Sequence, residues 1–426
     1  MTALLIFLLC LFILLFMRIP VFVSLGLSSI ALWLYEFGAL DPAVYLQRIM
    51  AGTNSFTLMA IPFFMLCGEL MNTGGLSKRL VEFAQNIIGW VRGGLGFTVV
   101  LASMFIAAIL GSASAAAAIL GMVLIPEMVK RGYSLDFSSA LVASSGAIGP
   151  IIPPSIPLIV FGVIAQVSVT KLFMGGYVPG ILMGLAFMIY TYIYARRNNY
   201  PAEKRPSLKE FGISFVKAFP TLLLPVIIMG GVMFGFFTPT EAGVVGVVYA
   251  AIVGFLYKDL KLSDLPKALT SAASSTAMVL MVISTATLLS WVLTLEQIPQ
   301  LVSQMILTAT SSKYVFLIFI NLFLVIMGMF LDSVSGITIL APVLLPAATA
   351  LGVDPLFFGV MMAVNFSIGA ITPPVGLNLY ITSSIAKIDI LRLSKAVIPF
   401  IFLIFAVLMI MVFFPGVVTF LPSLIN

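Results

Sequence analysis

The stretch Gly149-Pro150-Ile151-Ile152-Pro153-Pro154 interrupts an apolar segment that is long enough to cross a bilayer. The stretch Gly369-Ala370-Ile371-Thr372-Pro373-Pro374 does the same 220 residues later. Because proline lacks a backbone donor and glycine is conformationally free, each segment is predicted to be a helix broken in its middle. Such paired interruptions indicate the transport site of a secondary carrier. The alternative is that the prolines only kink structural helices.

The composition around these stretches is that of an integral membrane protein. Of the 426 residues, 62% are hydrophobic and 8% are charged, so polar groups could not cover a globular surface. Apolar runs near the ~20 residues that span a bilayer continue almost to the C-terminus. We therefore predict an all-α polytopic membrane protein in the lipid bilayer, with about 10–11 transmembrane helices plus two re-entrant hairpins.

The basic residues predict the orientation, because Lys and Arg are enriched in cytoplasmic loops. If the apolar blocks 94–130 and 315–350 each enter the membrane and return, 18 of the 21 basic residues lie on one side. If either block were a full span, every loop after it would lie on the opposite side of the membrane, and this bias would be lost. Both blocks are thus predicted to be re-entrant hairpins, with tips at residues 111–114 and 332–336, and both chain termini are predicted to be periplasmic. The cytoplasmic residues are Arg18, Lys78, Arg79, Arg92, Lys130, Arg131, Arg196, Arg197, Lys204, Arg205, Lys209, Lys217, Lys258, Lys261, Lys267, Lys387, Arg392 and Lys395; Arg48, Lys171 and Lys313 lie outside.

Composition also excludes several classes of function. The net charge of +6 does not indicate a nucleic-acid partner, because the basic residues are dispersed among short loops. The chain has no histidine, which excludes histidine proton relays and Ser-His catalysis. Since Walker-type loops are absent as well, we expect no enzymatic activity and no cofactor. The energy for transport would come from an ion gradient or a partner subunit.

An internal repeat appears when the chain is shifted along itself by 220 residues. Five predicted spans, an odd number, separate the two hairpins, so the repeats are predicted to be inverted. The identical pairs within residues 119–154 are Ile119/Ile339, Leu120/Leu340, Val123/Val343, Leu124/Leu344, Pro126/Pro346, Gly132/Gly352, Phe137/Phe357, Ala143/Ala363, Ile148/Ile368, Gly149/Gly369, Ile151/Ile371, Pro153/Pro373 and Pro154/Pro374.

Two amphipathic segments, Leu76 to Ile88 and Ile298 to Ile306, precede the hairpins and are either interfacial arms or ordinary connectors.

The repeat divides the chain into five parts. The predicted parts are scaffold helices with an interfacial arm (1–93), the first half of a transport unit (94–163, with hairpin 94–130 and broken helix 136–163), central and scaffold helices with a cytoplasmic loop at 195–217 (164–314), the second half of the transport unit (315–386, with hairpin 315–350 and broken helix 355–386) and a C-terminal helix (387–426).

The tips and breaks offer the oxygen atoms that a hard cation such as sodium prefers. Backbone groups freed by a break cannot be satisfied by hydrocarbon, so they are expected to line a binding cavity. Asp332 is the one carboxylate predicted near the midplane of the two repeats; it either couples transport to an ion or caps a helix. The candidate sodium ligands are Ser112, Ser114, Gly146 and Gly149 in the first repeat and Gly328, Asp332, Ser333, Ser335, Gly369 and Thr372 in the second.

An anionic substrate would be held at helix N-termini beside the tips and breaks. Three further acids, Glu69, Glu127 and Glu241, are weaker candidates, because their positions favour helix capping or solvation at the membrane interface. The candidate substrate-binding residues are Ser112, Pro153, Ser155, Pro373 and Asn378.

Several motifs resemble the large membrane subunit (the M subunit, DctM-like) of TRAP (tripartite ATP-independent periplasmic) transporters, along nearly the whole chain. These motifs are Ala60-Ile61-Pro62-Phe63-Phe64, Gly74-Gly75-Leu76, Ile125-Pro126-Glu127-Met128, Gly149-Pro150-Ile151-Ile152-Pro153-Pro154-Ser155-Ile156 and Pro239-Thr240-Glu241-Ala242-Gly243.

This resemblance implies sodium-driven import of an organic anion, such as a C4-dicarboxylate or sialic acid, across the inner membrane of a bacterium or archaeon. It also implies the elevator-type fold of the ion-transporter superfamily, with sodium sites at the two tips and breaks. The partners expected from the resemblance are a periplasmic substrate-binding protein and a separate small four-helix membrane subunit.

Two other functions stay open at this point. A stand-alone sodium- or proton-coupled organic-anion symporter or antiporter of the same superfamily would share the inverted hairpin repeats. An intramembrane hydrolase or a non-transporting scaffold subunit is disfavoured by the doubled breaks and by the lack of histidine and of paired aspartates.

Overall fold

The computed structural model describes residues 2–17, 19–39, 41–200, 202 and 205–424. Arg18 and Lys204, which the charge count assigns to the cytoplasm, lie outside the described residues. Within these ranges all regular structure is helical, and eight helices are long and apolar enough to cross a membrane. The predicted all-α polytopic fold is confirmed. Two of the eight, Ala113–Lys130 and Ser333–Ala350, are arms of the predicted hairpins. The count omits the halves of the broken helices and the helices Thr2–Phe16 and Val21–Phe37, because each of these is shorter than 18 residues.

Twenty α-helices follow one another in the described chain, joined by short turns. Apolar runs form helices in a membrane because a helix satisfies every backbone group internally, and many begin at a Ser, Thr or Asp cap. They are α1 Thr2–Phe16, α2 Val21–Phe37, α3 Pro42–Thr53, α4 Ala60–Thr73, α5 Leu76–Ile88, α6 Gly94–Leu110, α7 Ala113–Lys130, α8 Leu135–Gly146, α9 Ile156–Ala165, α10 Val169–Arg197, α11 Leu208–Met233, α12 Pro239–Leu256, α13 Leu265–Leu295, α14 Ile298–Ala309, α15 Lys313–Gly328, α16 Ser333–Ala350, α17 Pro355–Gly369, α18 Leu377–Ala386, α19 Ile390–Phe413 and α20 Gly416–Thr419.

Both hairpins and both broken helices are present. Hairpin one is formed by α6 and α7, and hairpin two by α15 and α16. The first break, at residues 147–155, separates α8 from α9, and the second, at 370–376, separates α17 from α18. In both, the peptide bond between the two prolines is cis. Tip two lies at 329–332, before most of the predicted tip, because Asp332 caps α16 and residues 333–336 form its first turn.

The two repeats pack against each other reciprocally. The arm α7 of hairpin one lies beside α18, and the arm α16 of hairpin two lies beside α9. The broken helices cross in the same way. Asn378 Nδ2 on α18 donates to the Ala143 carbonyl on α8 at 3.0 Å, and Phe161 on α9 packs against Gly359 on α17. The first half of each broken helix therefore contacts the second half of the other, as expected of an inverted repeat.

The remaining helices surround these repeats. We call α6–α10 and α15–α19 the core, because α10 and α19 pack against the broken helices, and α1–α5 with α11–α13 the scaffold, because these pack mainly on one another. The amphipathic helices α5 and α14 lie beside the hairpin arms α6 and α16. Arg79 on α5 pairs with Asp259 at 2.6 Å and lies 4.0 Å from the centre of the Tyr257 ring. Whether these helices are interfacial arms or connectors stays a prediction.

The connection between α10 and α11 is shorter than the predicted loop at 195–217. It is shorter because α10 continues to Arg197, and because Ser207 and Glu210 form a capping box that starts α11. Glu241 has the capping role that the sequence favours, since its carboxylate accepts from the Thr238 N–H at 2.8 Å.

The Gly176→Ala variant is expected to be less stable than the wild type. At this glycine α10 meets the first break, and an added Cβ would lie 2.2 Å from the Ile151 carbonyl oxygen. Because a backbone oxygen cannot swing away, we expect a loss of about 1–3 kcal/mol, measured as a lower thermal midpoint in detergent.

The matched control is Gly212→Ala on α11, where no described atom lies within 4 Å of an added Cβ. Alanine there should leave the midpoint unchanged or raise it slightly, because alanine favours a helix more than glycine does. A Gly176→Ala midpoint equal to that of the wild type would contradict the close packing of α10 on the break.

Candidate functional site

Tip one is a tight turn that places two hydroxyl groups at a helix N-terminus. Gly111 ends α6 with a φ of +59°, which favours glycine, and an added Cβ would lie 2.5 Å from the Pro154 carbonyl oxygen. Ser112 caps α7, its Oγ accepting from the Ala115 N–H at 3.5 Å. The same Oγ lies 3.2 Å from the Oγ of Ser114. Both serines therefore face the start of α7.

The first break lies directly against tip one. An added Cβ at Gly149 would lie 2.6 Å from the Ser112 carbonyl oxygen, and one at Gly146 would lie 2.9 Å from that of Ala113. Glycine is needed at both positions because the two backbones approach too closely for a side chain. The structure thus brings together Ser112, Ser114, Gly146 and Gly149, the ligands predicted for the first sodium site. Their role in binding an ion stays a prediction.

Three buried hydroxyl groups on α8 are missed by sequence reasoning. Ser139, Ser144 and Ser145 are fully buried, and their Oγ atoms have no hydrogen-bond partner among the described residues. Ser103 on α6 donates to the carbonyl of Ser145 at 2.5 Å. The doubled serines at 138–139 and 144–145 are a signal, but helical serines often bond their own backbone, so the pattern alone does not single them out.

Tip two and the second break meet through a pair of glycines. An added Cβ at Gly369 would lie 2.3 Å from the carbonyl carbon of Gly328, so the backbones of α15 and α17 are in contact. Thr372 in the break is buried, and its hydroxyl donates to the Ile368 carbonyl at 2.6 Å. Gly328 and Gly369, the glycines predicted for the second sodium site, are therefore in contact.

Asp332 lies at tip two as the N-cap of α16. Its Oδ2 accepts from the Val334 N–H at 3.0 Å, and the Ser335 hydroxyl donates to its Oδ1. The capping role that the sequence left open is therefore present. Asp332 is nevertheless exposed and Ser333 is partly exposed. An exposed carboxylate can cap the helix and still bind an ion.

A buried amide pair beside the second break is also missed by sequence reasoning. Asn365 Nδ2 on α17 donates to Asn321 Oδ1 on α15 at 2.6 Å. Both residues are fully buried, and Asn321 Nδ2 and Asn365 Oδ1 have no partner among the described residues. No sequence signal indicates this contact, because the two asparagines are 44 positions apart on different helices.

The residues predicted to bind an anionic substrate have unlike surroundings. Ser112 lines a cavity, which is described next. Pro153 and Ser155 are buried in the first break, and the Ser155 hydroxyl caps α9 while donating to a carbonyl within the break. Asn378 is buried and bonded to α8, whereas Pro373 is partly exposed. In this conformation only Ser112 of the five lines the cavity.

A cavity of about 350 Å³ lies between the core and the scaffold, beside tip one. Ser112 and Ser114 line one wall, and Glu69 on α4 and Ser275 on α13 line the other. The Ser271 hydroxyl donates to the Glu69 carboxylate at 2.7 Å. The volume lies in the range of ligand pockets, ~300–1,000 Å³. Glu69, for which sequence reasoning favours capping or interfacial solvation, therefore belongs to this cavity.

The chain is similar to transport proteins along nearly its whole length. Residues 8–417 match the family described as "Tripartite ATP-independent periplasmic transporter, DctM component". The chain is 42% identical over 401 residues to the C4-dicarboxylate TRAP transporter large permease protein DctM of Pseudomonas aeruginosa, with 94% of each chain covered. It is 39% identical over 419 residues to the 2,3-diketo-L-gulonate TRAP transporter large permease protein YiaN of Escherichia coli, with 98% of each covered.

Two further comparisons concern a larger relative and a solved structure. The isethionate TRAP transporter permease protein DctMQ of Oleidesulfovibrio alaskensis is 42% identical over 401 residues, and the match spans 63% of that relative's length. The crystal structure of the Alcanivorax borkumensis YdaH transporter has a TM-score of 0.66, covering 88% of this chain and 90% of that one at 17% identity. The latter likeness shows a shared fold.

Proposed function

The chain belongs to the DctM family of tripartite ATP-independent periplasmic transporters, and from this premise we propose that it imports a small organic anion by sodium-coupled secondary transport. The observation that carries the proposal is the cavity at which tip one, two helix N-termini and the scaffold meet. Relatives named for C4-dicarboxylate and for diketogulonate transport support a small carboxylate as the substrate. The protein is a multi-pass protein of the inner membrane.

In this proposal the two tips and breaks bind sodium, and the cavity binds the substrate. Close backbone contact at Gly149 and at Gly369 leaves carbonyl oxygens and hydroxyls beside each break, which suits a hard cation. Helices α7 and α9 both begin at the cavity, so their N-terminal N–H groups favour an anion there. Sodium bound beside tip one would strengthen that preference by its charge.

The position of the cavity supports an elevator motion. One wall belongs to the core and the other to the scaffold, so sliding of the core would carry the site away from Glu69. The scaffold helices that line the cavity have basic residues near the same end, Lys78 after α4 and Lys267 at the start of α13, which supports a cytoplasmic location for this end. The conformation is then inward-facing, and both termini are periplasmic. A separate small membrane subunit and a periplasmic binding protein complete the transporter.

Uptake into proteoliposomes tests this function. We expect a radiolabelled carboxylate, presented by the binding protein to vesicles that contain the chain and its small subunit, to accumulate only under an inward sodium gradient. Replacing sodium by potassium, or omitting the binding protein, should reduce accumulation to background. Equal uptake without the binding protein would instead indicate a stand-alone symporter. Uptake at the same rate with and without a sodium gradient would refute the sodium coupling.

A further inference from the structure

The two walls of the cavity beside tip one differ in chemistry. The core wall contains the serines of tip one and the first residue of α9, so it presents N–H and hydroxyl donors. The scaffold wall contains Glu69 and Asn72 on α4 and Ser275 on α13. Donors for an anion thus lie on one side, and a carboxylate lies on the other.

Glu69 is the single charged residue among those that line the cavity in the described part of the chain. It is partly buried, and its carboxylate accepts one hydrogen bond from the Ser271 hydroxyl at 2.7 Å. An ionised carboxylate has room for about four hydrogen bonds, so acceptor capacity is left for a ligand. No basic side chain among the described lining residues offsets the negative charge.

Resting on the proposed function, we infer that Glu69 is a specificity-determining residue that selects hydroxylated monocarboxylates over dicarboxylates. The substrate's carboxylate lies at the core wall, where α7 and α9 begin. Its hydroxyl groups donate to Glu69, and Asn72 and Ser275 supply further polar contacts. A second carboxylate at the scaffold wall would face the like charge of Glu69 in a partly buried site, where repulsion is stronger than in water.

Binding of two four-carbon probes tests this inference. L-threonate has one carboxylate and several hydroxyls, whereas succinate has two carboxylates and the same number of carbons. Affinities are measured by calorimetry on the complex of the chain with its small subunit, in nanodiscs with sodium. The wild type should prefer threonate. Glu69→Gln should bind succinate about tenfold more tightly, with a smaller change for threonate, because the like charge is gone. Glutamine keeps an oxygen that accepts from Ser271, so the fold should survive.

The matched control is Glu127→Gln, which removes a carboxylate that pairs with Arg131 at 3.0 Å on α7, away from the cavity lining. This variant should bind both probes as the wild type does. The specificity role would be overturned if the wild type bound threonate and succinate equally and Glu69→Gln changed neither affinity. It would also be overturned if neither probe bound. In both cases sodium-driven uptake by the wild type would still support the proposed function. If the wild type prefers 4-aminobutyrate to threonate, Glu69 pairs with an ammonium group and the hydroxyl assignment fails. Absence of sodium-driven uptake in the wild type would count against the proposed function itself.

Discussion

The Asp332→Ala and Ser112→Ala variants are expected to lose sodium-driven uptake while remaining folded and inserted. Each residue caps the second helix of a hairpin at the tip that lies against a break. Loss of a cap costs about 0.5–2 kcal/mol, which lowers stability without preventing folding. Loss of a proposed ion ligand at a tip would also remove the proposed sodium coupling. The measurement is the initial rate of uptake in proteoliposomes under an inward sodium gradient, which should fall to background.

The Asp332→Asn variant separates the two roles of this residue. Asparagine caps a helix as well as aspartate does, so the thermal midpoint should stay near that of the wild type. The negative charge that favours sodium is gone, so uptake should fall as far as in Asp332→Ala. If Asp332→Asn keeps the sodium dependence of the wild type, the carboxylate is only a cap and the assignment of this residue to the second site is wrong.

Asp354→Asn is the matched control for this substitution. Asp354 caps α17 as Asp332 caps α16, its Oδ1 accepting from the Leu356 N–H at 2.7 Å. It lies at the end of α17 opposite the break, so its charge is not expected to contribute to the ion site. Normal uptake by Asp354→Asn would show that a lost carboxylate at a helix start is not by itself harmful.

The Gly369→Ala variant is expected to lose both stability and transport. An added Cβ would lie 2.3–2.4 Å from the carbonyl carbon, Cα and carbonyl oxygen of Gly328. All three are backbone atoms, so tip two and the second break would have to separate. Strain of this kind costs about 1–3 kcal/mol, and separation would pull apart the oxygens proposed to bind sodium. We expect background uptake and loss of the rise in thermal midpoint that sodium should produce in the wild type.

Two other glycine substitutions calibrate this effect. At Gly328 an added Cβ would lie 3.1 Å from the nearest atom, so Gly328→Ala should be impaired less than Gly369→Ala. At Gly230 on α11 no described atom lies within 4 Å of the added Cβ, so Gly230→Ala should transport normally. If Gly369→Ala matches Gly230→Ala in uptake and midpoint, the close contact between tip and break has no functional role.

Local features were predicted from the sequence to within a few residues. The breaks at Gly149 and Gly369 follow from proline and glycine chemistry, which acts on the helix that contains them. Tip one and the Glu241 cap follow from small residues and from capping patterns that are read in a single turn. The second tip lies a few residues before its predicted position at 332–336. The reason is that Asp332 is the N-cap of α16, so the helix already begins where the sequence predicts the tip.

Contacts between distant helices were not predictable in the same way. Glu69 lies near the end of a predicted span, which suggests interfacial solvation, yet its partner Ser271 is 202 positions away. The asparagine pair at positions 321 and 365 and the buried serines of α8 likewise gain their meaning only from neighbouring helices. Their residue types are common in membrane helices, so no local pattern separates them from structural residues.

By itself the sequence determined that this chain is a membrane protein with two inverted repeats, each a hairpin followed by a broken helix. It could do so because hydrocarbon imposes the length of a span, and because proline and glycine interrupt the helix in which they occur. Only the tertiary structure decided that the broken helices pack reciprocally and that Glu69 faces tip one across a cavity. The physical reason is that helices meet through side chains far apart in the chain, and which faces meet depends on the packing of all of them together.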